Sequence, residues 1–258
     1  LSIITAMVLL ACAFTAFIQI PEQVVSRQLP GFLLEFTIRF NTFVSLLVAV
    51  LAVSGSEWLL ASHPNVSRRN RYVHWLLPGL TAIVIGVPLG TMQTGPTWWI
   101  LFGLGGILFS AVLASEYISL DPADARYSLA VIGLTAVAMA LLLILMIALR
   151  GSGLRLFLVL AAILPSTALI SARCISLRLN GRWNLPWAAV TTLITTQLAI
   201  GLYYLPVSPL QFGLILIAAV YGLISSLSAI EEAQFHVRFW VEPVIMSALL
   251  VLLAVILG

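Results

Sequence analysis

The sequence contains no lysine: all 12 of its basic residues are arginine. That excludes a Schiff-base lysine and the phosphate-binding lysine of a P-loop. Cysteine is scarce, with only Cys12 and Cys174, both in or beside apolar segments. They make no disulfide framework and read as two small apolar side chains. Three histidines, His63, His74 and His236, are too few and too peripheral for a metal or haem centre and read as interfacial side chains. No HExxH, CxxC or G-x-S-x-G is present, so no catalytic residue, metal or cofactor is expected. Charge is scarcest of all, at 8% of residues, where soluble domains carry about a quarter. A formal net charge of +3 is too thin for a nucleic-acid surface.

What the chain has instead is apolar length. Of its 258 residues, 62% are hydrophobic, more than a water-soluble fold can hide. A helix needs about 20 apolar residues to cross a hydrocarbon core about 30 Å thick. Nine runs approach that: Leu1–Ile20, Phe40–Leu60, Val73–Thr91, Trp98–Ile118, Tyr127–Leu149, Leu154–Arg173, Pro186–Leu205, Leu210–Ile230 and Phe239–Gly258. The expected fold is therefore all-α, a polytopic bundle of about nine membrane-spanning helices in a single transmembrane domain over 1–258, with no soluble domain. The first run lacks a basic leader and a small-residue cleavage site, so it reads as a retained helix. The third run is interrupted by Pro78, Gly79, Gly86, Pro88 and Gly90; if it is re-entrant, the count is eight. The gap from Pro21 to Arg39 reads as a short interfacial helix.

Orientation follows from arginines in alternating loops. Eight fall on one side and four on the other. The richer side is expected to be cytoplasmic, with the N-terminus inside and the C-terminus outside a bacterial plasma membrane. Each loop on that side ends in Arg plus an aromatic: Arg71-Tyr72, Arg126-Tyr127, Arg182-Trp183 and Arg238-Phe239, spaced 55, 56 and 56 residues apart. These read as interface anchors on evenly sized hairpins, with duplication of a hairpin unit as the alternative; Ser56-Glu57-Trp58 and Ser115-Glu116-Tyr117 support the latter.

An acid at membrane depth costs about 2.5–3.5 kcal/mol on insertion scales and so is a functional candidate. Glu57, Glu116, Arg173, Glu231, Glu232 and Glu242 all fall at cytoplasmic helix ends and form one candidate polar cluster, with Arg173 able to neutralise Glu57 or Glu116. The cluster reads as a set of structural clamps or as a proton or cation relay. On the opposite side, Gln93, Trp98, Trp99, Gln197, Tyr203, Tyr204 and Gln211 read as an aromatic belt before a ligand pocket. Small residues at four-residue spacing, Gly86 with Gly90 and Gly106 with Ser110 and Ala114, allow close helix contact.

Glu231-Glu232 followed by His236 departs from the EExxxR motif of the CAAX-type intramembrane proteases at its arginine, and no further histidine follows. A fuller likeness lies elsewhere. Gly55-Ser56-Glu57-Trp58, His63-Pro64, His74-Trp75-Leu76-Leu77-Pro78, Glu116-Tyr117, Asp121-Pro122, Tyr204-Leu205-Pro206 and Ser208-Pro209-Leu210-Gln211-Phe212-Gly213 resemble an uncharacterised family of multi-span proteins of Chloroflexota-type bacteria. The resemblance covers nearly the whole chain and implies a bacterial membrane protein, with no catalytic residues to carry over. The expected function is transport of a small solute or ion. A non-catalytic scaffold or complex subunit is the alternative, and a lipid-modifying enzyme comes third. The expected partner is the lipid bilayer, with homo- or hetero-oligomers open and any small-molecule substrate unidentified.

Overall fold

The computed structural model describes residues 2–17, 23–29, 32–38, 40–61, 74–121, 123–231 and 237–257. They form α1 (Ser2–Phe17), β1 (Gln23–Leu29), β2 (Phe32–Ile38), α2 (Phe40–Ala61), α3 (Leu76–Thr91), α4 (Pro96–Ile118), α5 (Tyr127–Gly151), α6 (Leu156–Arg178), α7 (Leu185–Tyr203), α8 (Pro209–Glu231) and α9 (Val237–Ile256). The chain divides into two compact units, Leu1–Ala130 and Val131–Gly258.

Every expected apolar run supplies a helix, but the nine helices among the described residues are not nine equal spans. Six are long and apolar enough to cross a membrane, in α2, α4, α5, α6, α7 and α8. The apolar stretches Ser2–Phe14, Leu76–Leu89 and Trp240–Ile256 are shorter. At 1.5 Å per residue the 16 residues of α3 reach about 24 Å, short of the roughly 30 Å hydrocarbon core. The weakness of the third run is thus a real shortening. The helix continues through Pro88 to the expected end at Thr91 and begins late, at Leu76, after a tighter turn at His74 and Trp75.

The segment read as an interfacial helix is a hairpin instead. β1 and β2 pair antiparallel, from Gln23 opposite Ile38 to Leu29 opposite Phe32. Val24, Val25, Phe36, Thr37 and Ile38 are β-branched or aromatic and favour extended backbone over helix. The intervening Pro30-Gly31 is a turn-forming dipeptide, which a helical reading has to ignore.

In the first unit Ile4, Val8 and Cys12 of α1 pack with Val48 and Ala52 of α2, with Ala82, Ile85 and Leu89 of α3, and with Trp98, Phe109 and Leu113 of α4. Small residues set the approach of α4. A β-carbon on Gly105 would lie 2.6 Å from Ile85 of α3, and one on Gly106 would lie 2.7 Å from Leu9 of α1. One turn on, Ser110 Oγ meets Thr5 Oγ1 at 3.1 Å. The Gly106/Ser110 spacing therefore marks the α1–α4 contact.

In the second unit the helix ends are closed by local chemistry. Asn180 (φ 52°) and Gly181 (φ 83°) turn left-handed after α6, and the Gly181 amide donates to Ser176 O at 2.7 Å, a Schellman closure. Asn184 caps α7 by accepting from the Trp187 amide at 3.3 Å. Ser208 and Gln211 form a reciprocal capping box at the start of α8: Gln211 N donates to Ser208 Oγ (3.2 Å) and Ser208 N to Gln211 Oε1 (2.8 Å). Gln211 is spent on that cap, and Gln197 is exposed on α7, so neither builds the pocket considered from sequence. Arg150, at the end of α5, donates to Tyr203 O (3.1 Å) and Leu205 O (3.2 Å) and lies over the Tyr203 ring. The Tyr203 carbonyl belongs to the last turn of α7, where no helical amide follows to donate to it, and the Leu205 carbonyl, just beyond the helix, also accepts from the Val207 amide at 2.8 Å. Arg150→Met should lower stability by about 1.5–3 kcal/mol, the worth of hydrogen bonds to a charged group, read from thermal unfolding in mild detergent.

The two units share an order. In each, a long helix (α2, α6) packs along the next (α3, α7), which packs on a third (α4, α8). Trp75-Leu76-Leu77-Pro78 leads into α3 and Trp183-Asn184-Leu185-Pro186 into α7; α4 and α8 both begin on proline. Their surface is the reverse of a soluble protein's. Ile107, Leu129 and Ile132 are exposed, whereas Glu116, Arg173, Thr167, Thr191 and Thr195 are buried. Such a surface is stable against hydrocarbon and not against water.

Candidate functional site

Burying a carboxylate in a helical interior costs several kcal/mol unless a donor faces it. Glu116, two residues from the end of α4, is only 1% exposed. His74, in the turn that opens α3, places Nδ1 2.6 Å from Glu116 Oε2. The next residue reaches the other way: Trp75 Nε1 donates to Glu57 Oε2 of α2 at 2.7 Å. Two adjacent side chains thus tie the start of α3 to two different helices. The His74–Glu116 contact is short, with the acid fully buried and the imidazole only 12% exposed.

The second unit repeats the chemistry. Trp187 Nε1, in the first turn of α7, donates to Glu231 Oε2 at the end of α8 (2.9 Å). Tyr221 OH of α8 donates to Glu242 Oε1 of α9 (2.9 Å). Arg173 of α6 is 3% exposed, near the buried end of the same helix that carries Ser171 and Ser176. The hydroxyls of Thr191, Thr192 and Thr195 on α7 donate to carbonyls one turn back, at 3.0, 2.7 and 2.7 Å. Those of Ser171, Ser225 and Ser228 are buried and make no hydrogen bond among the described residues.

Glu57 and Glu116 belong to the first unit; Arg173, Glu231 and Glu242 belong to the second. Among the described contacts of the first unit, Glu57 meets Trp75 and Glu116 meets His74. Glu232, Arg71 and Tyr72 lie outside the described residues, as do the side chains of Arg238 and Phe239, and with them His63 and His236. Arg126, Arg182 and Trp183 are exposed at helix ends, where anchors belong, and Tyr127 is half-buried. Among the described residues no three His, Cys, Asp or Glu side chains converge to hold a metal.

Sequence reasoning missed four residues: His74, Trp75, Trp187 and Tyr221. His74 reads from sequence as an interfacial side chain; the structure makes it the partner of a buried acid. A signal was present. Each donor but Tyr221 stands at the opening of a helix whose hairpin neighbour ends in a glutamate, so the hairpin itself brings them to one level.

The profile of a family described as "Protein of unknown function (DUF5656)" matches residues 20–257. No curated protein and no solved structure matches the chain.

Proposed function

Since the chain belongs to the DUF5656 family, whose function is unknown, we propose that it is a bacterial plasma-membrane protein that moves a small solute or ion coupled to protons, with His74 and Glu116 as the proton-binding pair. The observation that carries this reading is the burial of Glu116 in contact with His74 at 2.6 Å. An ionisable residue held inside a membrane bundle is costly, and a histidine changes charge between about pH 5 and 8. Two further features support it. The pair sits at the start of α3, a short helix with Pro88 inside it, and short or proline-containing segments mark the sites of many transporters. The unpaired hydroxyls of Ser171, Ser225 and Ser228 add polar capacity inside the second unit. Glu57, Arg173, Glu231, Glu232 and Glu242 remain the accompanying polar set. The arginine count favours an N-terminus in the cytoplasm and a C-terminus outside.

The test is proton flux into proteoliposomes loaded with mixed amino acids, sugars and inorganic ions, under an imposed pH gradient. The wild type should acidify the lumen and Glu116→Gln should not, while retaining its helical circular dichroism and monodisperse elution. Flux in Glu116→Gln equal to wild type would reject the pair as the proton carrier.

A scaffold without transport is the second reading, favoured by Glu57–Trp75 and Glu231–Trp187, which tie helix to helix. It requires no flux in the wild type and a stable membrane partner that co-purifies stoichiometrically.

A further inference from the structure

The second unit contains an elongated cleft of about 690 Å³, within the range of roughly 300–1,000 Å³ typical of small-molecule sites. One wall is α5 from Val131 to Leu143. Those twelve steps of 1.5 Å make about 18 Å, close to the roughly 15 Å of one leaflet's hydrocarbon. The opposite wall is Ile217 of α8 with Met246 and Leu250 of α9. The cleft is partly open, and of its lining Ile132 (65%) and Met246 (48%) are exposed. On a helix set that faces lipid, that opening faces acyl chains.

Charge in the cleft is confined to one end. Arg178, the last residue of α6, lies over the ring of Tyr221 at 5.4 Å. Tyr221 OH donates in turn to Glu242 Oε1 at 2.9 Å, in the second turn of α9. Thr135 is the only other polar side chain in the lining. The guanidinium of Arg178 donates no hydrogen bond among the described residues. Its place over the Tyr221 ring leaves its fork of N–H donors open, the donor set that suits a phosphate. Glu242 adds the opposite sign beside it. A second negative charge on the ligand is repelled there, and an ammonium is attracted.

We propose that the cleft binds a bilayer glycerophospholipid whose head group carries a primary amine: phosphate on Arg178, ammonium at Glu242, and one acyl chain along α5. Arg178, Tyr221 and Glu242 select the head group, and the small side chains of Ala136 and Ala140 leave room for the chain. The site is independent of the His74–Glu116 pair.

The test is lipid retention by the full chain, delipidated in mild detergent and titrated with phosphatidylethanolamine or phosphatidylglycerol, read by native mass spectrometry. One phosphatidylethanolamine per chain should bind in preference to phosphatidylglycerol. Arg178→Gln should weaken it about 10- to 100-fold, as expected for losing hydrogen bonds to a charged donor, and Arg178→Lys by less. Ala140→Phe fills the slot while leaving the polar end intact, and should also abolish retention. Glu242→Gln should erase the preference between the two lipids. Equal binding of both lipids by the wild type overturns the proposal. So does undiminished binding in folded Arg178→Gln and Ala140→Phe, which would mean bulk annular lipid only. A stable dimer that neither lipid dissociates would place a second copy in the cleft and overturn it equally.

Discussion

Trp98→Ala is expected to lower the unfolding free energy by about 3–5 kcal/mol, the largest loss available to a single core truncation in the first unit. Trp98 is fully buried on α4, among the α1 and α3 side chains of that core. Its ring stacks on Phe102 at 5.1 Å, and its Nε1 donates to Leu89 O at 2.9 Å. Leu89 lies in the last turn of α3, where carbonyls have no helical amide to accept from. Alanine therefore opens a large cavity and leaves a buried acceptor unpaired, two penalties that add. Trp98→Phe keeps most of the volume and should cost less, the difference isolating the Leu89 hydrogen bond. Trp99→Ala is the internal control: that side chain is 61% exposed and its loss should leave stability within about 0.5 kcal/mol of wild type. The measurement is thermal or denaturant unfolding in one mild detergent, followed by circular dichroism. Equal effects at 98 and 99 would contradict the burial.

His74→Ala is expected to cost about 1–3 kcal/mol, the range for removing one hydrogen-bond partner of a buried polar group. Glu116 would then keep a buried carboxylate with its closest described donor gone. Replacing both residues, His74→Leu with Glu116→Leu, should return stability much nearer to wild type, because no charge is left to desolvate. The same double variant should carry no protons. Stability and flux therefore separate in this pair of variants: one breaks both, the other restores only the fold. His74→Ala as stable as wild type would mean the contact contributes nothing net.

These two sites show where the sequence was readable and where it was not. Trp98 and Trp99 are chemically identical neighbours near the start of a helix, and both read as belt residues. A helix turns about 100° per residue, so one faces α3 and the other faces out. Composition carries no information on which. The carboxylates illustrate the same divide. That Glu57, Glu116, Glu231 and Glu242 stand near helix ends was legible, because an interrupted apolar run locates them. Their partners were not. Trp75, His74, Trp187 and Tyr221 reach them through helix packing, which spacing along the chain does not encode. The hairpin of β1 and β2 was missed for a different reason. Apolarity alone does not separate an interfacial helix from a hairpin; the β-branched and aromatic residues on either side of Pro30-Gly31 favour extended backbone.

The many-helix, membrane-embedded character of the chain was determined by the sequence alone, because about 20 apolar residues at 1.5 Å each leave few other ways to satisfy the backbone in hydrocarbon. Helix ends followed equally from local chemistry, as in the Ser208–Gln211 capping box. Only the tertiary structure decided how long each helix is, which face of it is buried, and which donor reaches which carboxylate. Those outcomes depend on rotation about the helix axis and on the approach that Gly105 and Gly106 permit. Such quantities are set by neighbours far away in the chain, and spacing within one segment does not encode them.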